Sequence, residues 1–409
     1  MENSLDVMRE HAKIPGISIA TVTANGKITT STSGVINNDT QQAVNDETIF
    51  EAASLSKPVF AYIVLKMVER GQLNLDTPLC DLGLGDFGPP FETIRHPEKF
   101  NETFAQNYKK LTPRLILSHQ AGLPNEFDPN KLETFAYVSP VGEQFNYSGE
   151  AYRFLREIIE RIATPDSLEE LAKREFTALG MNHTSFIMPK DCTNQSVGHF
   201  SDGSVDTRPH FFGIHPAASL YTTAADYGKF LQAFADTANK EVRKLMFEPA
   251  LLDLSGKDSK AIEANVSDDV LKQIGWGVGI GLQKNKDGSM VAFHWGDGNN
   301  TCRNFAALNL TTNQAVVCLT NSENGPTVFK KIAEPIVGDL SPVCQWLFPR
   351  EKFTLDTTLA SNATQGYKKN LTDLKQATSS ELNEKQAIET SDNKLLNPFK
   401  IVPDPHDQQ

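Results

Sequence analysis

Ser54 and Lys57 stand three residues apart in Glu51-Ala52-Ala53-Ser54-Leu55-Ser56-Lys57-Pro58, at the head of an apolar run. In the first turn of a helix that offset sets both side chains on one face, within reach of each other. A serine hydroxyl is a weak nucleophile near neutral pH, and a lysine amine activates it only where its surroundings keep the amine neutral. Pro58 has no backbone donor, which suits it to the first turn and puts Ser54 at the helix boundary. The orphan amides of that terminus would favour an oxyanion at Ser54 and disfavour an ammonium at Lys57. A second Ser-x-x-Lys, Ser391 to Lys394, sits in a polar tail without an apolar helix behind it and reads as chance.

Two further clusters could complete such a site. Tyr147-Ser148-Gly149 opens a helix after a loop; a tyrosine near cationic groups would lose its proton more readily and could pass it between nucleophile and leaving group. His294-Trp295-Gly296-Asp297 falls at a strand end, where the histidine could donate to a substrate or tune the relay with a charge that changes across physiological pH. Gly296 would allow close approach, and the Asp297 amide could join that of Ser54 as an oxyanion donor. Taken singly, the tyrosine and the histidine read more simply as core residues. Thr222 and Thr223 ahead of Asp226 read as a helix cap, and so as scaffold. The nine histidines form neither His-x-His nor His-Glu-x-x-His, which argues against a metal hydrolase, and no cofactor is expected.

The elements that must position these residues follow from periodicity. Residues 17–23 and 27–32 read as a hairpin around Asn25-Gly26, with a primed two-residue turn. Val59 to Val68 is apolar nearly all round, the mark of a buried helix, and Gly71 can cap it. Helices are predicted over 113–120, 148–163, 167–179, 223–236 and 327–347. Glycine alternates with apolar residues over Gly275 to Leu282, predicting one strand; further strands are expected over 290–294, 303–309 and 315–320. The order implies an α+β fold: a sheet built from both chain ends (about 1–57 and 270–350), with a mostly helical subdomain (about 58–269) inserted between. Residues 351–409 read as a polar C-terminal extension.

The length of 409 residues, with 39% hydrophobic and 22% charged residues, describes a soluble globular protein with a large core. A net charge of −12 argues against nucleic acid or anionic membranes as partners and points to a neutral or cationic small molecule. Five scattered cysteines read as reduced and buried. No run reaches the roughly 18 apolar residues of a membrane span, and the charged N-terminal stretch lacks a signal-peptide core. The expected location is therefore cytoplasmic, with export by another route left open.

The chain order Ser54-x-x-Lys57, Tyr147-Ser148-x, His294-x-Gly296 resembles the serine β-lactamase and penicillin-binding protein superfamily, most closely its class C-like branch with esterases and D-aminopeptidases. Similar stretches include Ser54 to Leu79, Leu117 to Pro124, Phe145 to Ile159, Pro216 to Phe230, Gly275 to Gly281 and Leu319 to Gly325, so the likeness spans about residues 10 to 345. It implies the β-lactamase/transpeptidase-like fold, Ser54 as nucleophile, Lys57 as base, Tyr147 as proton shuttle, and the amides of Ser54 and Asp297 as oxyanion hole. His294 stands where many relatives carry the lysine of Lys-Thr-Gly. The implied reaction is acyl transfer to Ser54, then hydrolysis or aminolysis.

Two departures bear on substrate. Gly149 replaces the asparagine that holds a substrate's acylamino side chain in Tyr-x-Asn relatives, which weakens the case for β-lactams. Asp297 sets a carboxylate beside the expected oxyanion hole and should repel anionic substrates unless Arg303 offsets it. The expectation is a serine hydrolase for a small ester or amide, peptide-like in character. The alternatives are a β-lactamase or DD-peptidase, and a scaffold or secreted effector that binds partners through residues 351–409. The sequence leaves the oligomeric state open.

Overall fold

Strands from residues 16–34 and from residues 274–320 form one antiparallel sheet. The structure, a computed structural model, describes residues 4–82, 106–126, 137–188, 191–208, 213–255 and 266–348. The strands are β1 (Gly16–Val22), β2 (Ile28–Gly34), β5 (Ile274–Trp276), β6 (Gly281–Lys284), β7 (Met290–Gly298), β8 (Cys302–Asn309) and β9 (Ala315–Thr320), in the order β2-β1-β9-β8-β7-β6-β5. The β1–β9 ladder, running from Ile17↔Thr320 to Val22↔Ala315, joins the first described strand to the last.

Alternation divides the sheet between two cores, because successive side chains point to opposite faces. Ala20, Val22, Ala306, Leu308, Val317 and Leu319 meet the helical part of the chain. Ile17, Ile19, Phe305, Ala307, Val316 and Cys318 meet the terminal helices α1 (Ser4–His11), α9 (Pro326–Val337) and α10 (Ser341–Leu347). With both faces covered, β9 is buried at all six positions, which is why Ala315 to Leu319 form an unbroken apolar run.

Helix α2 (Ser56–Glu69) is buried from Ser56 through Leu65, as its all-round apolar surface predicts. Its end is finished by Arg70 and by Gly71 in the left-handed region. A separate two-stranded ribbon, β3 (Phe50–Ala53) with β4 (Leu220–Thr222), leads into it. The remaining helices of the described residues include α3 (Pro113–Leu117), α4 (Gly149–Ile162), α5 (Leu168–Leu179), α6 (Ala224–Gln232), α7 (Lys240–Phe247) and α8 (Asp268–Leu271). Ser148, Ser167 and Thr223 cap α4, α5 and α6 with their side chains.

Four expectations need correction. The β1–β2 loop spans residues 23–27, with Gly26 alone of these in the left-handed region, so the turn is not a primed two-residue one. Gly275 to Leu282 is not one strand: β5 and β6 pair with each other across a turn at 277–280. The glycine spacing answers to neighbours instead, since a Cβ at Gly277 would lie 2.2 Å from the Met246 carbonyl and one at Gly279 2.1 Å from Ala61. The helix expected over 327–347 breaks into α9 and α10 at Gly338, whose φ is +95°. Of the cysteines, all free, Cys302, Cys318 and Cys344 are buried, but Cys80 is exposed and Cys192 half-buried. The C-terminal extension and the Ser391 motif lie outside the described residues.

Candidate active site

Ser54 sits in a tight turn between β3 and α2, and the turn is held from several sides. Ala53, just before it, has φ +48°, a left-handed conformation that costs a non-glycine residue about 1 kcal/mol. The Ser56 hydroxyl donates to the Ala53 carbonyl and accepts from the Leu220 amide, while Tyr227 Oη donates to the Leu55 carbonyl at 3.1 Å. The sequence reading assigned these roles to neither Ser56 nor Tyr227.

Lys57 Nζ lies 3.0 Å from Ser54 Oγ and donates to the Ala217 carbonyl at 3.1 Å. The lysine is only 2% exposed, whereas Ser54 is half-buried and open to one side. Burial lowers the amine from 10.5 to about 7, against the opposing pull of the Glu126 carboxylate. Desolvation, rather than the helix terminus, is thus the main force that keeps this amine able to accept a proton.

Tyr147 reaches the same spot from the loop before α4. Lys57 Nζ stands 4.5 Å from the centre of its ring, and Trp295 stacks on that ring at 5.0 Å. Its hydroxyl is buried and makes no hydrogen bond of good geometry among the described residues, yet Ser54 is the neighbour that favours its ionised form. We therefore read the phenol as close to Ser54 but not aligned with it, as catalytic groups often are before substrate arrives. Burial, opposed by Ser54, raises the tyrosine's pKa, so the expected easy loss of its proton is overturned: the resting form is the neutral phenol.

His294 is corrected as well. It is 1% exposed, and burial together with the nearby Lys57 takes it down to about 3, so it carries no charge across the physiological range. Its Nδ1 lies 2.8 Å from the Trp295 carbonyl. That carbonyl can only accept, which puts the proton on Nδ1 and leaves Nε2 as an acceptor. His294 packs beside Tyr147 with ring centres 6.2 Å apart.

Register explains the next residue. The Leu310 amide donates to the Met290 carbonyl, so even-numbered residues of β7 bond to β8 and odd-numbered ones turn their amides away. On that other side β6 ends at Gly281, opposite Phe293. The Asp297 amide is therefore left free of the ladder, and among the described residues the Ser54 amide also donates to no acceptor. Gly296 serves the chain itself: a Cβ there would lie 2.2 Å from the Ala52 carbonyl, so only glycine lets β3 cross this close to β7. The Asp297 carboxylate accepts from Arg303 Nε at 3.2 Å and Nη2 at 3.1 Å, the pairing expected to offset its charge.

Gly149 is buried rather than open to the site. Its amide donates to the Asn125 side chain at 3.0 Å, and a Cβ would lie 3.0 Å from the Asn125 carbonyl. The sequence reading also passed over His119, which lies under Tyr147 with ring centres 4.5 Å apart. The only signal for it was its place within Leu117 to Pro124, one of the stretches that carried the resemblance.

A beta-lactamase family model matches residues 3–337. The chain belongs to that family. Among its relatives, penicillin-binding protein 4 of Amycolatopsis lactamdurans is 25% identical over 248 residues, 58% of this chain and 60% of that protein. Protein flp of Staphylococcus aureus is 23% identical over 249 residues, 55% of this chain and 47% of its own length. The match thus spans about half to three-fifths of these curated relatives. Among solved structures, the octameric penicillin-binding protein homologue from Pyrococcus abyssi superposes with a TM-score of 0.60 at 21% identity, over 78% of this chain and 72% of that one. A class C beta-lactamase does so at 0.60 and 17% identity, over 78% and 89%. The fold is accordingly the β-lactamase/transpeptidase-like α+β fold. No helix among the described residues is long and apolar enough to cross a membrane.

Proposed function

We propose that this family member is a serine hydrolase that forms an acyl-enzyme on Ser54, acting on a small, peptide-like ester or amide. The observation that carries the reading is the buried amine 3.0 Å from the Ser54 hydroxyl, with its pKa brought to about 7. In this reading neutral Lys57 takes the Ser54 proton as Oγ bonds to the substrate carbonyl carbon. The amides of Ser54 and Asp297 receive the oxyanion. The new ammonium is stabilised by the Ala217 carbonyl and by the face of the Tyr147 ring. Because Tyr147 rests as a neutral phenol, it can give its proton to the departing nitrogen or oxygen and regain one from Lys57. Water then enters, Lys57 takes one of its protons as the water oxygen bonds to the acyl carbon, and the acyl–Oγ bond breaks as Lys57 returns that proton to Oγ.

The glycine at 149, crowded by Asn125, favours substrates without the acylamino group of a β-lactam, and the Arg303–Asp297 pair offsets the carboxylate that would otherwise repel an anionic substrate. The division into a sheet part and a helical part near residues 57 and 270 remains our reading of the chain. An activated-serine probe, such as a fluorophosphonate, should label the wild type and not Ser54→Ala, while a panel of nitrophenyl esters, aminoacyl anilides and nitrocefin should show turnover of the first two classes and little of the third. Equal labelling of both proteins would refute acylation at Ser54; rapid nitrocefin turnover would refute the substrate class.

A further inference from the structure

On either side of Tyr147, a backbone amide is held by the same residue. The Asn146 amide donates to the His119 carbonyl at 2.7 Å, and the Ser148 amide donates to His119 Nδ1 at 3.1 Å. The amides of both residues neighbouring Tyr147 are thus tied to one residue, through its carbonyl and its ring. The His119 ring lies against the phenol ring at 4.5 Å and contacts Trp276 at 5.2 Å and Phe145 at 5.6 Å. His119 is fully buried and has φ +58°, a left-handed backbone that histidine adopts only at a cost.

We propose that His119 is the positioning residue of Tyr147, holding the phenol at the Ser54–Lys57 pair through one fixed tautomer. A backbone amide can only donate, so the Ser148 bond requires a lone pair at Nδ1 and sends the ring proton to Nε2. A protonated ring could not accept that bond. Burial and the neighbouring Lys57 and His294 hold its pKa well below the usual range, which keeps the acceptor in place at every working pH. His119 and His294, both packed beside the phenol, are thereby set in opposite tautomers, Nε2–H and Nδ1–H respectively.

The inference rests on the acyl-enzyme reading, and its test separates the two. His119→Gly keeps the left-handed backbone and the carbonyl but removes the ring and the acceptor. His119→Asn also tolerates that backbone, and its Oδ1 restores an acceptor near the position of Nδ1. With an ester that acylates the wild type, His119→Gly should lower kcat about 10²-fold with KM little changed, since misplacement of a catalytic group by about 1 Å costs that much. His119→Asn should recover most of the loss. Equal losses in both variants, or no loss in His119→Gly, would overturn the proposal. Should His119→Gly fail to fold, nitrogen-15 NMR of the wild type decides: a proton on Nε2 and a lone pair on Nδ1 at pH 7 supports it, and a proton on Nδ1 overturns it. Ser54 labelling by the probe reports separately on acylation.

Discussion

The turn that carries Ser54 and the loop that carries Tyr147 supply neighbouring groups to one site, but the chain builds them differently. Ser54 and Lys57 are related by a single helical turn, and a local frame sets that turn: the left-handed Ala53, the Ser56 hydroxyl and Pro58 in the first turn, which Leu220, Tyr227 and Ala217 then hold from across the fold. Tyr147 has no such local frame. Its position comes from His119, 28 residues earlier in the chain, whose carbonyl and ring take the amides of Asn146 and Ser148. A short-range motif can be read from sequence because the helix period supplies its geometry. A long-range clamp leaves only a histidine in a loop.

The comparison is broken most severely at the base. Lys57→Met should abolish acylation, by about 10⁴-fold or more in the rate of probe labelling, while leaving the tyrosine loop intact. The same change should stabilise the fold. The amine is near 10.5 in the unfolded chain and about 7 when folded, so burial costs nothing above pH 10.5, costs more as pH falls towards 7, and costs its full amount below that. Each unit of depression corresponds to about 1.4 kcal/mol, so near neutral pH the variant should gain on the order of 2–4 kcal/mol, offset in part by the lost bonds to Ser54 and Ala217. Denaturant titrations at pH 7 and pH 11 check this, with the gain vanishing at the higher pH.

Next in size is Tyr147→Phe, which removes a buried hydroxyl with no well-formed partner among the described residues. Its cost should fall on chemistry and spare the fold: about 10²-fold or more in kcat, with the melting temperature unchanged or raised. A large loss of stability without loss of rate would return Tyr147 to the core and dissolve the contrast between the two regions.

How much of the site could be seen beforehand follows the same division. Most of the strands themselves, the buried α2 helix and the Ser54–Lys57 contact were legible because periodicity of two or of 3.6 residues carries them. The charge states were not. Tyr147 was expected to ionise easily and His294 to titrate near pH 7, yet both are neutral, because burial outweighs the charges that spacing suggested. The glycines of Gly275 to Gly281 looked like one strand, but each answers to a different neighbour across the fold, which no local pattern reveals.

The smallest expected effect sharpens the substrate side. Gly149→Asn would supply the amide that Tyr-x-Asn relatives carry, but its Cβ would meet the Asn125 carbonyl at 3.0 Å. The 125 segment must yield, at about 1–2 kcal/mol in a chemical denaturation experiment. Nitrocefin turnover should not appear; a variant that gains it without losing stability would show that residue 149 alone selects the substrate class.

The central claim is that burial makes Lys57 the base for Ser54. Its most direct measurement is the pH dependence of single-turnover acylation by an activated ester. The rate should rise with pH through one ionisation near 7, the free-enzyme value expected for the buried amine, and that limb should vanish in Lys57→Met. A rate that keeps rising to about pH 10, the range of an ordinary lysine, would contradict the account.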